Sequence, residues 1–150
     1  MGETNSDSIG EPLLITEGEM AGWSTWGYGA DPFETLTGPY YLKPLEGGGY
    51  ACAFKPEPKN NNGFGIVHGG ALMTFADFAL FAHARDQLNG SCVTVQFESQ
   101  FLGAAKAGQL VECQGEVTRS TRSLVFVRGL MTQGGAPVMA WSGIIKRLGA

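Results

Sequence analysis

The hydrophobic pattern of the chain changes its period after residue 90. Residues 91–102 alternate between apolar and polar side chains, which is typical of a half-buried β-strand. The apolar set is Val93, Val95, Phe97 and Phe101, and the polar set is Thr94, Gln96, Glu98 and Gln100. Residues 109–119, 123–132 and 138–148 alternate more loosely, and short turns separate them. We therefore predict four consecutive strands that form an antiparallel meander.

A long helix is predicted before these strands, from Gly69 to about Gln87. Residues 71–84 are almost entirely apolar, and a helix that is apolar nearly all round is buried on most sides. The polar exceptions are Thr74, Asp77 and His83. Gly90 follows the predicted end of the helix and is a plausible stop signal.

The first part of the chain divides into an extension and the start of the main domain. Residues 40–45 and 50–54 read as two strands about a glycine turn. One buried helix and a long antiparallel sheet predict an α+β domain over residues 38–150, with the sheet wrapped around the helix. Residues 1–37 form a predicted N-terminal extension, with about 11 disordered residues at its start and a short helix at residues 12–20. Its aromatic side chains, which we expect to pack on the domain, are Trp23, Trp26, Tyr28 and Phe33.

The charge of the chain excludes some partners and leaves others open. The formal net charge is −4, which argues against a nucleic-acid partner. Residues 1–60 carry −6 and residues 61–150 carry +2, so the second part can still receive an anionic ligand. The longest apolar run, near residues 71–84, is shorter than the ~20 residues that a membrane span requires. Three cysteines without CxxC spacing and the lack of a signal peptide predict a cytoplasmic protein that does not associate with membranes.

Several familiar catalytic patterns are absent from the sequence. No Gly-x-Ser-x-Gly elbow occurs, which argues against a serine hydrolase. The two histidines, His68 and His83, are fifteen residues apart and have no cysteine pair nearby, so we predict no metal site. The run Gly63-Phe64-Gly65 lacks the strand and the third glycine of a dinucleotide fingerprint, and we reject that reading.

The most informative segment is His68-Gly69-Gly70, which leads directly into the helix that carries Asp77. Backbone N–H groups at the positive end of a helix can stabilise an oxyanion. An ionised carboxylate in an apolar helix is costly unless something pairs with it, and such groups are candidates for acid–base chemistry. The segment therefore combines an oxyanion site with a base.

The spacing of these two groups has a consequence for assembly. Gly69 and Asp77 lie eight residues apart, which is ~12 Å along a helix. A carbonyl group bound at the helix start therefore cannot meet Asp77 of the same helix. We predict a homodimer in which a second subunit supplies the carboxylate, and two-fold symmetry then gives two equivalent sites.

Each of these residues also has a simpler structural explanation. His68 can hydrogen-bond within its loop, and Asp77 can be a structural carboxylate. Asn62 in its asparagine-rich turn is most simply a turn residue, and Thr94 an ordinary strand residue. Arginines of the sheet are most simply solvated charges that discourage aggregation.

The joint pattern is more specific than its members. Asn62, His68-Gly69-Gly70 and Asp77, followed by residues 93–97 and Lys106-Ala107-Gly108, resemble the hotdog-fold acyl-CoA thioesterases of the PaaI-like, 4-hydroxybenzoyl-CoA thioesterase superfamily. The resemblance covers about residues 38–149. It implies hydrolysis of an acyl-CoA or aryl-acyl-CoA to the free acid and coenzyme A, without a separate cofactor.

The resemblance also implies roles for individual residues. Asp77 matches the family's catalytic carboxylate, either general base or nucleophile, and the Gly69 N–H matches the group that polarises the thioester carbonyl. Asn62 matches an amide that orients water or the carbonyl, His68 shapes the loop, and Thr94 stands near the attacking water. The residues implied in binding coenzyme A are Gly70, Lys106, Arg119, Arg122 and Ser123.

Other functions remain as alternatives. Hydration of an enoyl-CoA needs an Asp and a His close together, but Asp77 and His83 are six residues apart on one helix and lie on different faces. A non-catalytic acyl-CoA-binding protein of the same fold is the main alternative, and a purely structural protein would bind no CoA at all. The acyl group, the choice between dimer and dimer of dimers, and the role of residues 1–37 stay open.

Overall fold

The computed structural model describes residues 10–26 and 29–149. Its main elements in this part of the chain are an eight-stranded antiparallel sheet and one long helix. The strands are β1 (Leu13–Leu14), β2 (Ser24–Thr25), β3 (Tyr40–Pro44), β4 (Tyr50–Phe54), β5 (Cys92–Phe101), β6 (Val111–Ser120), β7 (Leu124–Gln133) and β8 (Ala136–Arg147). The helices are α1 (Pro32–Thr37) and α2 (Gly69–Ala84), with short 3₁₀ turns at Pro58–Asn60 and Arg85–Gln87. The predicted α+β architecture is therefore confirmed.

Helix α2 begins and ends where local chemistry requires it. The His68 side chain caps the first turn, because its Nδ1 atom accepts a hydrogen bond from the Gly70 N–H at 2.8 Å. After Ala84 the chain tightens into the 3₁₀ turn and reaches Gly90, whose φ of 62° favours glycine. The predicted start at Gly69 is confirmed, and the predicted end at about Gln87 coincides with the end of the 3₁₀ turn, three residues after α2 itself ends.

The order of the strands corrects the predicted meander. The sheet runs β1-β2-β3-β4-β6-β7-β8-β5, so β6, β7 and β8 are consecutive but β5 pairs with β8. The segment between β5 and β6 does not form a hairpin. It crosses the start of α2 instead, where the Leu102 N–H donates to the Val138 carbonyl and Ala105 accepts from the Val67 N–H. Because Ala105 is buried there, this crossing closes one end of the core.

The core lies between α2 and the sheet. Phe75 is fully buried and stacks on Tyr40, while Phe54 meets both rings edge-on or tilted. Aromatic contacts at these spacings add to the free energy gained from burial. The helix is thereby held with one side facing the sheet, which determines what its other side presents.

The N-terminal extension differs from the prediction. The prediction of a helix at residues 12–20 is wrong. Leu13–Leu14 form β1, which pairs with β2, and β2 in turn pairs with β3, so both short strands join the sheet. Trp26 does pack on the domain, with its ring edge-to-face against Phe78. The expected disordered start falls mostly on residues 1–9, and Tyr28 is also outside the described residues.

Helix α1 is an element that the hydrophobic pattern does not reveal. Asp31 caps it by accepting a hydrogen bond from the Glu34 N–H, and Pro32 occupies the first turn. None of its residues is fully buried, so it has no apolar face that periodicity could detect. No helix in the described part of the chain is long and apolar enough to cross a membrane.

Candidate active site

The outer face of α2 carries the candidate acid. Gly70, Met73 and Asp77 are exposed on this face, whereas Phe75 and Phe78 on the opposite face are buried. The prediction that Asp77 lies in a buried environment is therefore wrong for the single chain. The helix is apolar because its inner face and flanks are packed, and Asp77 occupies the uncovered face.

A β-bulge in β5 places Thr94 next to Asp77. Thr94 pairs with Ile145 and Gln96 pairs with Ile144, so Val95 is an extra residue in the ladder. A bulge reverses the inward and outward alternation from that point on. Thr94 therefore shares the inner face with Phe97, contrary to the predicted alternation, which put them on opposite faces. Its hydroxyl donates a 2.7 Å hydrogen bond to Asp77 Oδ1.

The glycines at the helix start make room for neighbouring side chains. A Cβ atom on Gly69 would lie 3.1 Å from the Phe101 ring, and one on Gly70 would lie 2.9 Å from the His68 ring. Because His68 accepts the Gly70 N–H, that donor is occupied. The Gly69 N–H has no hydrogen-bond acceptor within residues 10–26 and 29–149, so it is the free donor of the first turn.

Asn62 organises the loop that precedes the helix. Its Oδ1 atom accepts hydrogen bonds from the Phe64 and Ile66 N–H groups at 2.9 and 3.4 Å. Its own N–H donates to the Ile66 carbonyl. This is the behaviour expected of a turn residue, and the amide nitrogen of the side chain stays available for a ligand.

A cleft of about 490 Å³ joins the helix start to the acid. The lining residues are Asp31, Phe33, Glu34, Gly70, Met73, Thr74, Asp77 and Phe97. Its floor is the outer face of α2, and α1 of the extension forms one wall. The exposed aromatic residue that was expected to pack on the domain, Phe33, lines this wall. The need for a second subunit at this cleft stays a prediction.

Glu34 is a half-buried carboxyl group in this wall, close to two other acids. Burial, and to a smaller extent the negative charges of Asp31 and Asp77, together raise the pKa of Glu34 to about 7. Sequence reasoning missed this residue. The only available signal was the Asp31-Pro32 pair, which marks a helix start three residues before Glu34.

The residues implied in binding coenzyme A fall into two groups. Lys106 lies in the segment between β5 and β6, next to Ala105, which contacts the chain just before α2. The Lys106 N–H donates to Gln133 Oε1. Arg119 lies near the far end of β6, roughly 27 Å along the strand from its start at Val111. Arg122 and Ser123 lie in the adjoining hairpin, which Arg147 fastens through hydrogen bonds to the Thr121 and Arg122 carbonyls. One chain therefore does not bring Lys106 and the hairpin together.

His83 lies on the inner side of α2, away from the cleft. It is 7% exposed, stacks on Trp141, and lies so close to Gly115 that a Cβ atom there would be 2.5 Å from its ring. Both ring nitrogens lack a hydrogen-bond partner among the described residues. Burial lowers the pKa of His83 to about 4, which the Tyr50 backbone opposes only in part. Asp77 and His83 thus lie on different faces, as the spacing predicts.

No cluster of three or more potential metal ligands occurs within the described ranges. The cleft offers a carboxylate with a hydroxyl partner, a free backbone donor at a helix start, and apolar walls. Such an arrangement can polarise a carbonyl group and activate a nucleophile beside it.

Known structures share this architecture. The phenylacetic acid degradation protein PaaI of Thermus thermophilus is 23% identical over 79% of this chain and 100% of its own, with a TM-score of 0.69. PaaI of Escherichia coli is 21% identical over 80% of this chain and 86% of its own, also at 0.69. A hypothetical thioesterase protein of Streptococcus pneumoniae, solved with coenzyme A, is 21% identical over 76% of this chain and 91% of its own, at 0.66. These likenesses confirm the predicted hotdog fold.

Sequence comparison gives the family. A profile of the thioesterase superfamily matches residues 64–140, which is just over half of the chain and includes both Asp77 and Thr94. The chain therefore belongs to the thioesterase superfamily. The candidate esterase PA0474 of Pseudomonas aeruginosa is 27% identical over 118 residues, covering 77% of this chain and 87% of that protein.

Proposed function

We propose that this protein is an acyl-CoA thioesterase that uses Asp77 as its catalytic carboxylate. The observation that carries the proposal is the 2.7 Å hydrogen bond from Thr94 to Asp77 Oδ1 on the floor of the cleft. An exposed carboxylate has no structural need for this partner. The bulge in β5 is a local cost of pairing, and it is what brings the hydroxyl to the acid.

Hydrolysis requires a nucleophile, an oxyanion site and a leaving group. In our proposal Asp77 accepts a proton from water, and the hydroxide attacks the thioester carbonyl carbon while Thr94 fixes the orientation of the carboxylate. The Gly69 N–H and the positive end of α2 stabilise the oxyanion. The tetrahedral intermediate then breaks its C–S bond, and CoA leaves as the thiolate. Asn62 and His68 hold the loop that presents Gly69.

The reach of the helix still calls for a second subunit. The outer face of the chain near the cleft exposes apolar side chains that water should not contact, including Met73 at 41% and Val95 at 51% exposure. β5, which borders this face, is the last strand of the sheet among the described residues. We propose that two copies meet here, so that Gly69 of one subunit faces Asp77 of the other.

Exposed cationic side chains are candidates for binding the phosphates of coenzyme A. Arg119 and Arg122 are exposed and form no ion pair among the described residues, and Lys106 provides a separate charge near the helix start. We propose that these groups, with backbone donors near Gly70 and Ser123, bind the phosphates of CoA. Solved relatives in this fold contain coenzyme A, including a Bacillus halodurans protein.

Relatives give a further reason to test this pair of residues. The Streptococcus pneumoniae protein has been solved with an aspartate replaced by alanine and with a threonine replaced by alanine, at positions that differ by sixteen in number. Asp77 and Thr94 differ by seventeen. The similar spacing supports the choice of this acid and this hydroxyl as the groups to change.

The test is CoA release from a panel of acyl-CoAs and aryl-acyl-CoAs, with the parent protein compared with Asp77→Asn. Loss of a general base lowers kcat by about 10²–10⁴-fold, whereas thermal stability should change little because Asp77 is exposed. Glu112→Gln is the matched control, since Glu112 is an exposed acid on β6, away from the cleft. Tight CoA-thioester binding without release by the parent would favour the non-catalytic binder. Parental turnover by Asp77→Asn would contradict the assignment.

A second measurement separates base from nucleophile. In a single turnover in ¹⁸O-labelled water, label in the Asp77 carboxylate identifies a nucleophilic Asp77 whose acyl anhydride is hydrolysed at the Asp77 carbonyl, while a general base leaves Asp77 unlabelled and sends all label to the released acid. We expect the released acid to carry the label, because the Thr94 hydroxyl orients one carboxylate oxygen and leaves the other free for water.

A further inference from the structure

The cleft contains a carboxyl group that no cation balances. Glu34 is half-buried beside Asp31 and Asp77. No lysine or arginine forms an ion pair with it in the described part of the chain. Its side chain also makes no hydrogen bond to a described residue. A carboxyl group in this position lowers the stability of the fold, and such groups are candidates for a functional role.

Other contacts hold α1 in place. The Thr37 hydroxyl accepts a hydrogen bond from buried Tyr40, and the Asn60 side chain donates to the Thr37 carbonyl. Asp31 caps the helix through the backbone N–H of Glu34. The Glu34 carboxyl adds nothing to this anchoring, and its like-charge neighbours oppose it. An acid in the first turn of α1 is favoured by the helix dipole, but the burial of Glu34 and its two acidic neighbours oppose its ionisation.

The surroundings of Glu34 define what the cleft can accept. Phe33, Met73 and Phe97 make its walls largely apolar. The Thr74 hydroxyl is already used, because it donates to the Gly70 carbonyl. An acyl chain would therefore find apolar contacts and three carboxyl groups, those of Asp31, Glu34 and Asp77. A carboxylate at the end of the chain would meet like charge without a partner.

We propose that Glu34 is a specificity-determining residue of this cleft, which admits neutral, mainly apolar acyl groups and rejects acyl groups that end in a carboxylate. This inference rests on the proposed function, since it assigns the cleft to the acyl portion of a thioester. The N-terminal extension thereby supplies selectivity to a site whose reacting groups lie in the main domain.

The titration of Glu34 gives the proposal a second readout. The charged groups that face it are Asp31 at the start of α1 and Asp77 on α2, and the Tyr40 hydroxyl, whose pKa burial raises to about 12, stays neutral in this pH range. With the pKa of Glu34 raised to about 7, the side chain is largely neutral below that pH and ionised above it. A dicarboxylic acyl chain is ionised across this range. Discrimination against it should therefore increase between about pH 6 and about pH 8.

The experiment compares two thioesters of equal chain length, hexanoyl-CoA and adipoyl-CoA. The ratio of their kcat/KM values at about pH 8 should fall at least ~10-fold in Glu34→Gln, because the change removes a like charge and keeps the size of the side chain. The ratio should stay at the parental value in Glu112→Gln. The rise of the ratio with pH should be lost in Glu34→Gln and kept in the control.

A Glu34→Gln ratio equal to that of the parent at both pH values would overturn the inference while leaving the thioesterase assignment intact. If the parent releases CoA from neither compound, the wider panel of acyl-CoAs and aryl-acyl-CoAs decides the proposed function. The inference is then decided by binding of the two corresponding non-hydrolysable thioethers. Selectively tighter binding of the adipoyl thioether by Glu34→Gln supports it, and equal binding by both proteins, or none, overturns it.

Discussion

The two faces of α2 give two polar residues opposite environments. His83 lies on the inner face, buried against Trp141 and without a hydrogen bond to the described residues. Asp77 lies six residues earlier on the outer face, exposed and hydrogen-bonded to Thr94. The buried histidine is accommodated as a neutral aromatic ring, whereas the exposed acid has a dedicated partner. Polarity inside an apolar helix therefore does not by itself identify a site; the partner does.

Replacement of large side chains should reveal the largest difference in stability between the two faces. Phe75→Ala removes a fully buried ring, and we expect it to lower the free energy of unfolding by about 3–5 kcal/mol. Met73→Ala, two residues away on the outer face, should cost less, because Met73 is partly exposed in the single chain and its loss affects only the contact with the proposed second subunit. Urea denaturation of both variants measures the difference. Equal losses would mean that the outer face is as tightly packed as the inner one.

The hydroxyl partner of Asp77 offers a smaller, purely functional effect. Thr94→Val keeps the shape of the side chain but removes the hydrogen bond to Asp77 Oδ1. Loss of one charge-assisted hydrogen bond predicts a fall of about tenfold in kcat, with KM little changed. Thr94→Ser retains the hydroxyl and serves as the control. Equal kcat values for the Val and Ser variants would show that the Thr94 hydroxyl has no role in catalysis.

The pH dependence of stability should reflect the inner face. His83 has a folded-state pKa of about 4, below the ordinary value of about 6.5 that it regains on unfolding. The unfolded chain therefore binds more protons between these values, and the His83 contribution to stability falls as the pH drops from about 6.5 towards 4. Urea unfolding of the parent and of His83→Leu at several pH values measures this contribution. An identical slope in both proteins would show that His83 does not titrate in this way.

Much of the fold was predictable because periodicity reports burial. The predicted strand at residues 50–54 matches β4, and the other main strands agree to within about two residues at each end. The position of β5 in the sheet could not be predicted in the same way. β5 could be recognised from its alternation, but its pairing with β8 depends on how residues 102–110 cross the helix start, which no local pattern records.

The site could be predicted only in part for a related reason. Asp77 and the glycines at the helix start stand out in the sequence. Their catalytic roles, and the division of the chain into residues 1–37 and a main domain, remain predictions to be tested. Thr94 was identified by resemblance alone, because the alternation of β5 put it on the wrong face until the bulge at Val95 was known. Glu34 escaped notice because α1 has no buried face and lies more than forty residues from Asp77 in the chain.

The amino-acid sequence by itself determined the main elements after residue 39: which of those segments become helix or strand, where α2 begins, and which acid stands in that helix. These follow from short-range forces, namely backbone hydrogen bonding, capping and the spacing of apolar side chains. The tertiary structure alone decided that Asp77 faces outward, that a bulge turns Thr94 towards it, and that Glu34 joins the same cleft. Those outcomes depend on which surfaces remain after the core has packed, and packing brings together residues that are distant in the chain.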